Sequence, residues 1–272
     1  MPPVLTTVIL FLLGLVFGSF FNVLIYRLPR EISIIKPGSF CPACRHGIAW
    51  YDNIPLLSWL LLRARCRHCG ARISVRYPLV ELMAGVIFVG TPLLAKAIGL
   101  ARVPADRITP LHSAFAVVFI SILALVLIID LEHQIIPDEL SIALFVLGWM
   151  AVFALNPPIS PGWLSSFIGM CVLSLFFLAF ALLIGGFGIG DVKLGAGLGT
   201  FFGWQLLLVA AFLSFVIGGV VAIAYALFLL SRRRLRARIA IPFGPYLAAG
   251  AVLTLFLGAR LLSWYLSLFR PG

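Results

Sequence analysis

Residues 205–230 read QLLLVAAFLSFVIGGVVAIAYALFLL, twenty-six consecutive positions without one Asp, Glu, Lys or Arg. A helix crosses the hydrocarbon core of a bilayer with about 20 apolar residues, and a surface helix of a soluble protein needs a polar face that this run lacks. It reads as membrane-spanning. Working outward, comparable runs lie at about 4–26, 79–100, 113–129, 140–156, 164–184 and 243–265. A Gly-rich stretch at 192–202 is long enough only for a half-span or a short, tilted helix. The expected fold class is an all-α polytopic membrane protein of about eight transmembrane helices. The whole chain agrees: of 272 residues, 62% are hydrophobic and 11% charged, with mean hydropathy +1.16, where soluble domains are about 25% charged. A soluble globular protein is excluded. The first run is longer than a signal-peptide core and follows no Lys or Arg, so it is expected to stay as the first helix.

The net charge of +11 resembles a nucleic-acid signal, but its distribution argues otherwise. In membrane proteins Lys and Arg collect in cytoplasmic loops. Nine of the twenty lie in residues 27–78, Lys193 is another, and Arg232, Arg233, Arg234, Arg236 and Arg238 add five. Eight spans put these fifteen on one face, the cytoplasmic one, against Lys96, Arg102, Arg107, Arg260 and Arg270 on the other. Both termini are then expected outside. The RRRLRAR run is a topology anchor, the partner medium is membrane lipid, and nucleic acid is not a partner.

The one extended polar segment, 27–78, holds Cys41-x2-Cys44-x21-Cys66-x2-Cys69. Two such pairs joined by a loop supply four thiolates for a tetrahedral zinc ion with no open position, a structural rather than catalytic site. About 50 residues make a poor hydrophobic core, and a metal stands in for it. The other reading is four reduced thiols. With four cysteines completing the shell, His46 and His68 read as surface residues, and Cys171, inside an apolar run, as a small core hydrophobe.

Nine acids exist in the chain, and two sit at the ends of apolar runs on the cytoplasmic side. They are Asp130 in LIIDLEHQIIPDEL and Asp191 in GGFGIGDVKLG. Carboxylates at such positions are costly and usually functional; taken singly, each also reads as a solvated interfacial group. Converging on one site, they divide labour, one protonated and one activating water, as in an aspartic protease. Gly185, Gly186, Gly188 and Gly190 form no dinucleotide fingerprint; they let a helix break and a substrate backbone approach. Gly14 with Gly18 and Gly195 with Gly199 have the small-xxx-small spacing of close helix packing. No H-E-x-x-H or G-x-S-x-G is present. Glu132, His133 and Glu139 read as polar loop residues.

These segments together resemble the bacterial type IV prepilin peptidases. The resemblance is carried by GSFFNVLIYRLPR from Gly18, the tetracysteine segment, DNIPLLSWLLLRARCRHCGARISVRYPLVE from Asp52, IDLEHQIIPD from Ile129 and GIGDVK from Gly188. It implies a GxGD-type aspartic protease of the bacterial inner membrane. Such an enzyme cuts the leader from prepilin and pseudopilin precursors at the cytoplasmic membrane face and methylates the new N-terminus from S-adenosylmethionine, in the service of pili or a secretion system. Asp130 and Asp191 match the family's catalytic aspartates, and Asp138 matches a motif position without that role. The expected organisation is a first helix at 1–26, a cytoplasmic zinc module at 27–78 linked to methyl transfer, and a transmembrane aspartic peptidase domain at 79–272. Glu81, at the membrane entry in YPLVE, is expected to help position the methyl-accepting amine; the alternative is an interfacial carboxylate paired with Arg76 or Tyr77. The rival functions are a GxGD peptidase without methyl transfer and an ion-coupled transporter, whose acids belong near mid-membrane.

Overall fold

A computed structural model describes residues 3–156, 158–183, 188–231 and 242–269. Eight α-helices follow in chain order: α1 (Pro3–Arg27), the short α2 (Leu57–Leu61), α3 (Arg76–Ile98), α4 (Pro110–His133), α5 (Asp138–Ala154), α6 (Trp163–Leu183), α7 (Ile189–Ser231) and α8 (Gly244–Ser267). Among the described residues there is no strand beyond isolated bridges. The RRRLRAR run, Gly185, Gly186 and Arg270 lie outside the described residues.

Among the described residues six helices are long and apolar enough to cross a membrane: α1, α3, α4, α6, α7 and α8. Eight apolar runs become eight helical segments, because α7 is two helices joined at Gly203 and α5 is a shorter apolar helix beside the six. Unbroken, 43 residues would rise about 65 Å, twice the hydrocarbon thickness of about 30 Å. The break is therefore required. Gly203 has φ 72, ψ 170, and a Cβ there would meet Ser165 Oγ at 2.5 Å and Ser160 Oγ at 2.9 Å. The stretch 189–202 before the break corresponds to the short eighth helix expected at 192–202. At 1.5 Å per residue it spans about 21 Å, and the 17-residue α5 about 25 Å. These two are the short members of the set.

The chain divides into two compact units, Met1–Leu93 and Leu94–Gly272. The polar segment ends near residue 78, but the packing division falls after Leu93, so α3 belongs largely with α1. In the first unit a Cβ on Gly14 would lie 2.7 Å from the Ala84 carbonyl, and one on Gly18 2.5 Å from the Glu81 Cα. Both glycines let α1 and α3 touch at backbone distance, and Phe17 stacks on Phe88 at 5.3 Å. At the end of α1 the buried Arg27 donates to the carbonyls of Ser33, Pro37 and Gly38 at 2.7–2.8 Å and lies over the Phe40 ring. Three carbonyl acceptors and an aromatic face replace the water that a buried guanidinium loses.

In the second unit α4 is the most enclosed span, 61% buried over its apolar window against 22% for α6. Phe119 of α4 stacks on Phe201 of α7 at 4.0 Å, with Phe202 edge-on at 5.3 Å. Lipid tails are as apolar as leucine, so helix association here relies on close packing. Gly199 supplies it. A Cβ at Gly199 would lie 2.3 Å from the Gly169 carbonyl carbon of α6. Cys171, on the same helix, is half-buried rather than a core residue.

Gly199→Val should force α6 and α7 apart at a cost of about 1–3 kcal/mol. Its melting temperature in detergent should fall clearly below that of Gly219→Val, where a Cβ meets nothing within 4 Å.

Candidate active site and metal centre

Asp130 lies in the last turn of α4 and Asp191 in the first turn of α7. They are 61 positions apart in sequence. Both line one cleft of about 410 Å³, with Gln134, Ile136, Gly188 and Phe243 among the other walls. Asp130 is 4% exposed and Asp191 8%, and they lie near enough for their charges to act on each other. Their position at helix ends, not mid-helix, is the one read from the sequence.

Local sequence explains how each carboxylate is held. Gly188 precedes the first turn of α7, and Asp191 is the third helical residue, so its side chain reaches back to accept the Gly188 N–H at 2.9 Å. This is half of a capping box. Asp130 takes its bond from another helix start, the N–H of Gly244 at the head of α8. A Cβ on Gly244 would sit 2.5 Å from Asp130 Oδ2, so any side chain there would push α8 off the carboxylate. The positive end of the α8 dipole also favours the negative charge. After Asp130 the helix continues to His133 and stops at Gln134, whose φ of 55 and ψ of 38 turn the chain while its N–H bonds the Asp130 carbonyl at 2.9 Å. Glu132 and His133 are thus helical rather than loop residues, as is Glu139 in the first turn of α5.

Asp138 is placed differently. Its carboxylate is exposed and binds Lys193 Nζ through both oxygens at 2.7 Å. It does not line the cleft. Of the glycines flanking Asp191, Gly188 and Gly190 both border the cleft, and a Cβ on Gly190 would also meet Ile136 at 2.9 Å. Gly190 therefore also serves packing, and among the described residues the expectation of a close substrate approach stays with Gly188 and Gly190. Gly244, Gln134, Ile136 and Phe243 were not singled out by sequence reading. The break before Gly244-Pro245, with proline at the head of a helix, was the available signal.

In the first unit Cys41, Cys44, Cys66 and Cys69 bring their Sγ atoms within 4.8 Å of one another. Among the described residues this is the one group of three or more His, Cys, Asp or Glu placed to hold a metal. A tetrahedral zinc with Zn–S of about 2.3 Å separates its sulfurs by about 3.8 Å, and Cys41 and Cys69 are 3.9 Å apart. The donor set and spacing fit. Two similar turns build the site: the N–H of Cys41 bonds the His46 carbonyl and that of Cys66 bonds the Ala71 carbonyl. Arg45 and Gly70 follow the second cysteine of each pair with φ 60 and φ 70. Backbone N–H groups of Cys69 and His68 pull the Cys66 thiol down to about 7. The Ala71 N–H acts in the same sense on Cys69, but desolvation and the neighbouring thiols carry it up to about 11. His46 and His68 are exposed and stack on each other at 3.5 Å.

Glu81 is buried in the first turns of α3 and accepts the Leu56 N–H at 2.7 Å. Neither Arg76 nor Tyr77 is its partner; Arg76 lies over the Tyr77 ring. The contact with a loop 25 residues away was not readable locally.

Residues 12–94 match the family model described as Bacterial Peptidase A24 N-terminal domain, and residues 117–223 the one described as Type IV leader peptidase family. Three relatives, each described as a prepilin leader peptidase/N-methyltransferase, align over almost their whole length. That of Aeromonas salmonicida strain A449 is 34% identical over 95% of this chain and 93% of its own. That of Aeromonas hydrophila is 36% identical over 96% and 94%, and that of Bacillus subtilis strain 168 is 35% identical over 96% and 98%. No solved structure matches the chain.

Metal analysis of the purified protein should find about one zinc per chain, and Cys66→Ser should remove most of it, because a structural site of this kind uses all four ligands. Zinc retained at wild-type level in that variant would refute the four-cysteine site.

Proposed function

Because the chain belongs to the type IV leader peptidase family, we propose that it removes the leader from prepilin and pseudopilin precursors and methylates the new N-terminus with S-adenosylmethionine as donor. The observation that carries the proteolytic half is the single cleft lined by Asp130 and Asp191, with Asp138 outside it in an ion pair. Asp130 and Asp191 are the proposed catalytic pair.

Hydrolysis of an unactivated amide needs a base to take a proton from water and an acid to protonate the departing amine. Two carboxylates in one cleft fill both roles when one holds a proton and the other does not. The ionised partner takes a proton from water as the water oxygen attacks the scissile carbonyl carbon, and the protonated partner gives its proton to the carbonyl oxygen. Collapse of that intermediate returns the carbonyl, breaks the C–N bond and passes a proton to the leaving nitrogen. The Gly188 and Gly244 amides each hold one carboxylate in place, so the pair is preorganised before substrate arrives. The two titrate as a unit, and the proposal assigns roles to the pair only.

The cysteines hold a structural zinc that folds the 27–78 module, and Glu81 positions the methyl-accepting amine in the second reaction. The fifteen Lys and Arg that eight spans would gather on one side support a cytoplasmic location for the 27–78 module and for Asp130 and Asp191 in a bacterial inner-membrane protein. Acids at helix ends rather than mid-helix disfavour an ion-coupled transporter, and relatives described as methyltransferases disfavour a peptidase alone.

Asp130→Asn and Asp191→Asn should each abolish precursor cleavage while chain level and zinc content hold, and the double variant should be hardly worse, since members of one catalytic unit act non-additively. Asp138→Asn should still cleave. If Asp138→Asn is the inactive one and Asp130→Asn cleaves normally, the wrong carboxylate has been chosen. Separately, a reporter fused after Ala71 should read as cytoplasmic; a periplasmic signal would invert the orientation.

A further inference from the structure

Beside the cysteine turns, within the first unit, lies a cavity of about 300 Å³, at the lower end of the range of about 300–1,000 Å³ that holds small molecules. Its walls include the rings of Phe40, Trp59 and Tyr77, and the indole N–H of Trp59 is fixed to the Ile73 carbonyl at 3.2 Å. Two carboxylates reach it, Asp52 and Glu81. Asp52 is already matched: Arg67 binds both its oxygens at 2.6 and 2.7 Å and holds its carboxyl below the usual range. Glu81 is not matched. It is 8% exposed, takes one backbone N–H from Leu56, and has no cation within ion-pair distance among the described residues.

Leu56, the donor, has φ 60 and ψ −50, a conformation that a non-glycine residue adopts only under constraint. Backbone strain of this kind is characteristic of sites where geometry is held for function. A buried carboxylate without a partner charge is costly, and a ligand that brings a positive charge into the cavity would complete it. Methyl transfer to an N-terminus brings two such charges, the ammonium of the acceptor and the sulfonium of the donor.

We propose that this cavity is the methyl-transfer site, with Glu81 accepting the proton that the N-terminal ammonium must lose and the donor seated against the aromatic walls. The assignment rests on the methyl-transfer reading above. The balance is simple. The ammonium gives one proton to the Glu81 carboxylate, and the freed nitrogen lone pair forms a bond to the methyl carbon. The carbon–sulfur bond breaks with its electron pair returning to sulfur, which leaves as the neutral thioether of S-adenosylhomocysteine. Positive charge thus moves from sulfur to nitrogen. A proton acceptor is needed beside the nitrogen, whose lone pair is free to attack only after the proton has left, whereas none is needed beside the sulfur, which sheds its charge as its bond to carbon breaks. That favours the amine as the partner of Glu81.

The test uses the full chain in detergent with a prepilin substrate, zinc content as the folding control, and the mass of the mature N-terminus as readout. Glu81→Gln should lower the methylation rate about 100-fold at about pH 6.5. It should recover at least about tenfold by about pH 9, because a free α-amine loses its proton unaided near pH 8. Calorimetric affinities for S-adenosylmethionine and S-adenosylhomocysteine should each change by less than about twofold. Ile73→Trp, which fills the cavity, should keep its zinc and lose binding of S-adenosylhomocysteine. A Glu81→Gln chain that methylates normally at about pH 6.5, or whose loss is equal at every pH, overturns the proton-acceptor role. Selective weakening of S-adenosylmethionine in that variant assigns Glu81 to the sulfonium and also overturns it. Normal binding in Ile73→Trp overturns the cavity. A wild-type chain that cleaves but neither binds S-adenosylhomocysteine nor adds a methyl overturns the methyl-transfer reading itself, and this assignment with it.

Discussion

Each aspartate of the cleft accepts a backbone N–H from the beginning of a helix, Asp191 from Gly188 ahead of α7 and Asp130 from Gly244 at the head of α8. Helix starts have N–H groups that no carbonyl of the same helix can satisfy, and in an apolar surrounding such groups must find an acceptor. Carboxylates answer that need, and the need in turn fixes where the carboxylates stand. The end of α4 and the starts of α7 and α8 are therefore gathered at one place. The short 189–202 segment, the break at Gly203 and the cleft follow from that gathering.

Glycine sets the tolerances. A side chain on Gly244 would strike Asp130, and one on Gly199 would strike the backbone of α6. The first contact belongs to the chemistry and the second to the packing, yet both rest on the absence of a Cβ. In a bilayer, where water does not drive helices together, backbone contact of this closeness is the main source of cohesion. It also leaves the carboxylates on rigid helix ends rather than on loops, which suits a reaction needing two groups in fixed relation.

The first unit solves a different problem. Its polar segment is too small to bury much apolar surface, and it is organised instead by polar devices. Four thiols converge through two similar turns, Arg27 collects three loop carbonyls, and Glu81 pins the Leu56 amide. The result is a folded wall around a cavity.

The membrane-spanning character, the number of helical segments and the cysteine site were legible in the sequence, because each depends on composition or spacing over a few tens of residues. Long charge-free runs specify spans, and two Cys-x2-Cys pairs carry their ligand geometry in their local turns. The choice of Asp130 and Asp191 drew on their motifs and on their shared end of the apolar runs. Their meeting in one cleft, the diversion of Asp138 to Lys193, the role of Gly244 and the bond between Glu81 and Leu56 were decided only by tertiary structure. These pairs lie 25 to more than 100 positions apart, and no periodicity relates them. They meet because helices of set length must place their unsatisfied ends and their few charges together, and that requirement acts only once the chain is folded.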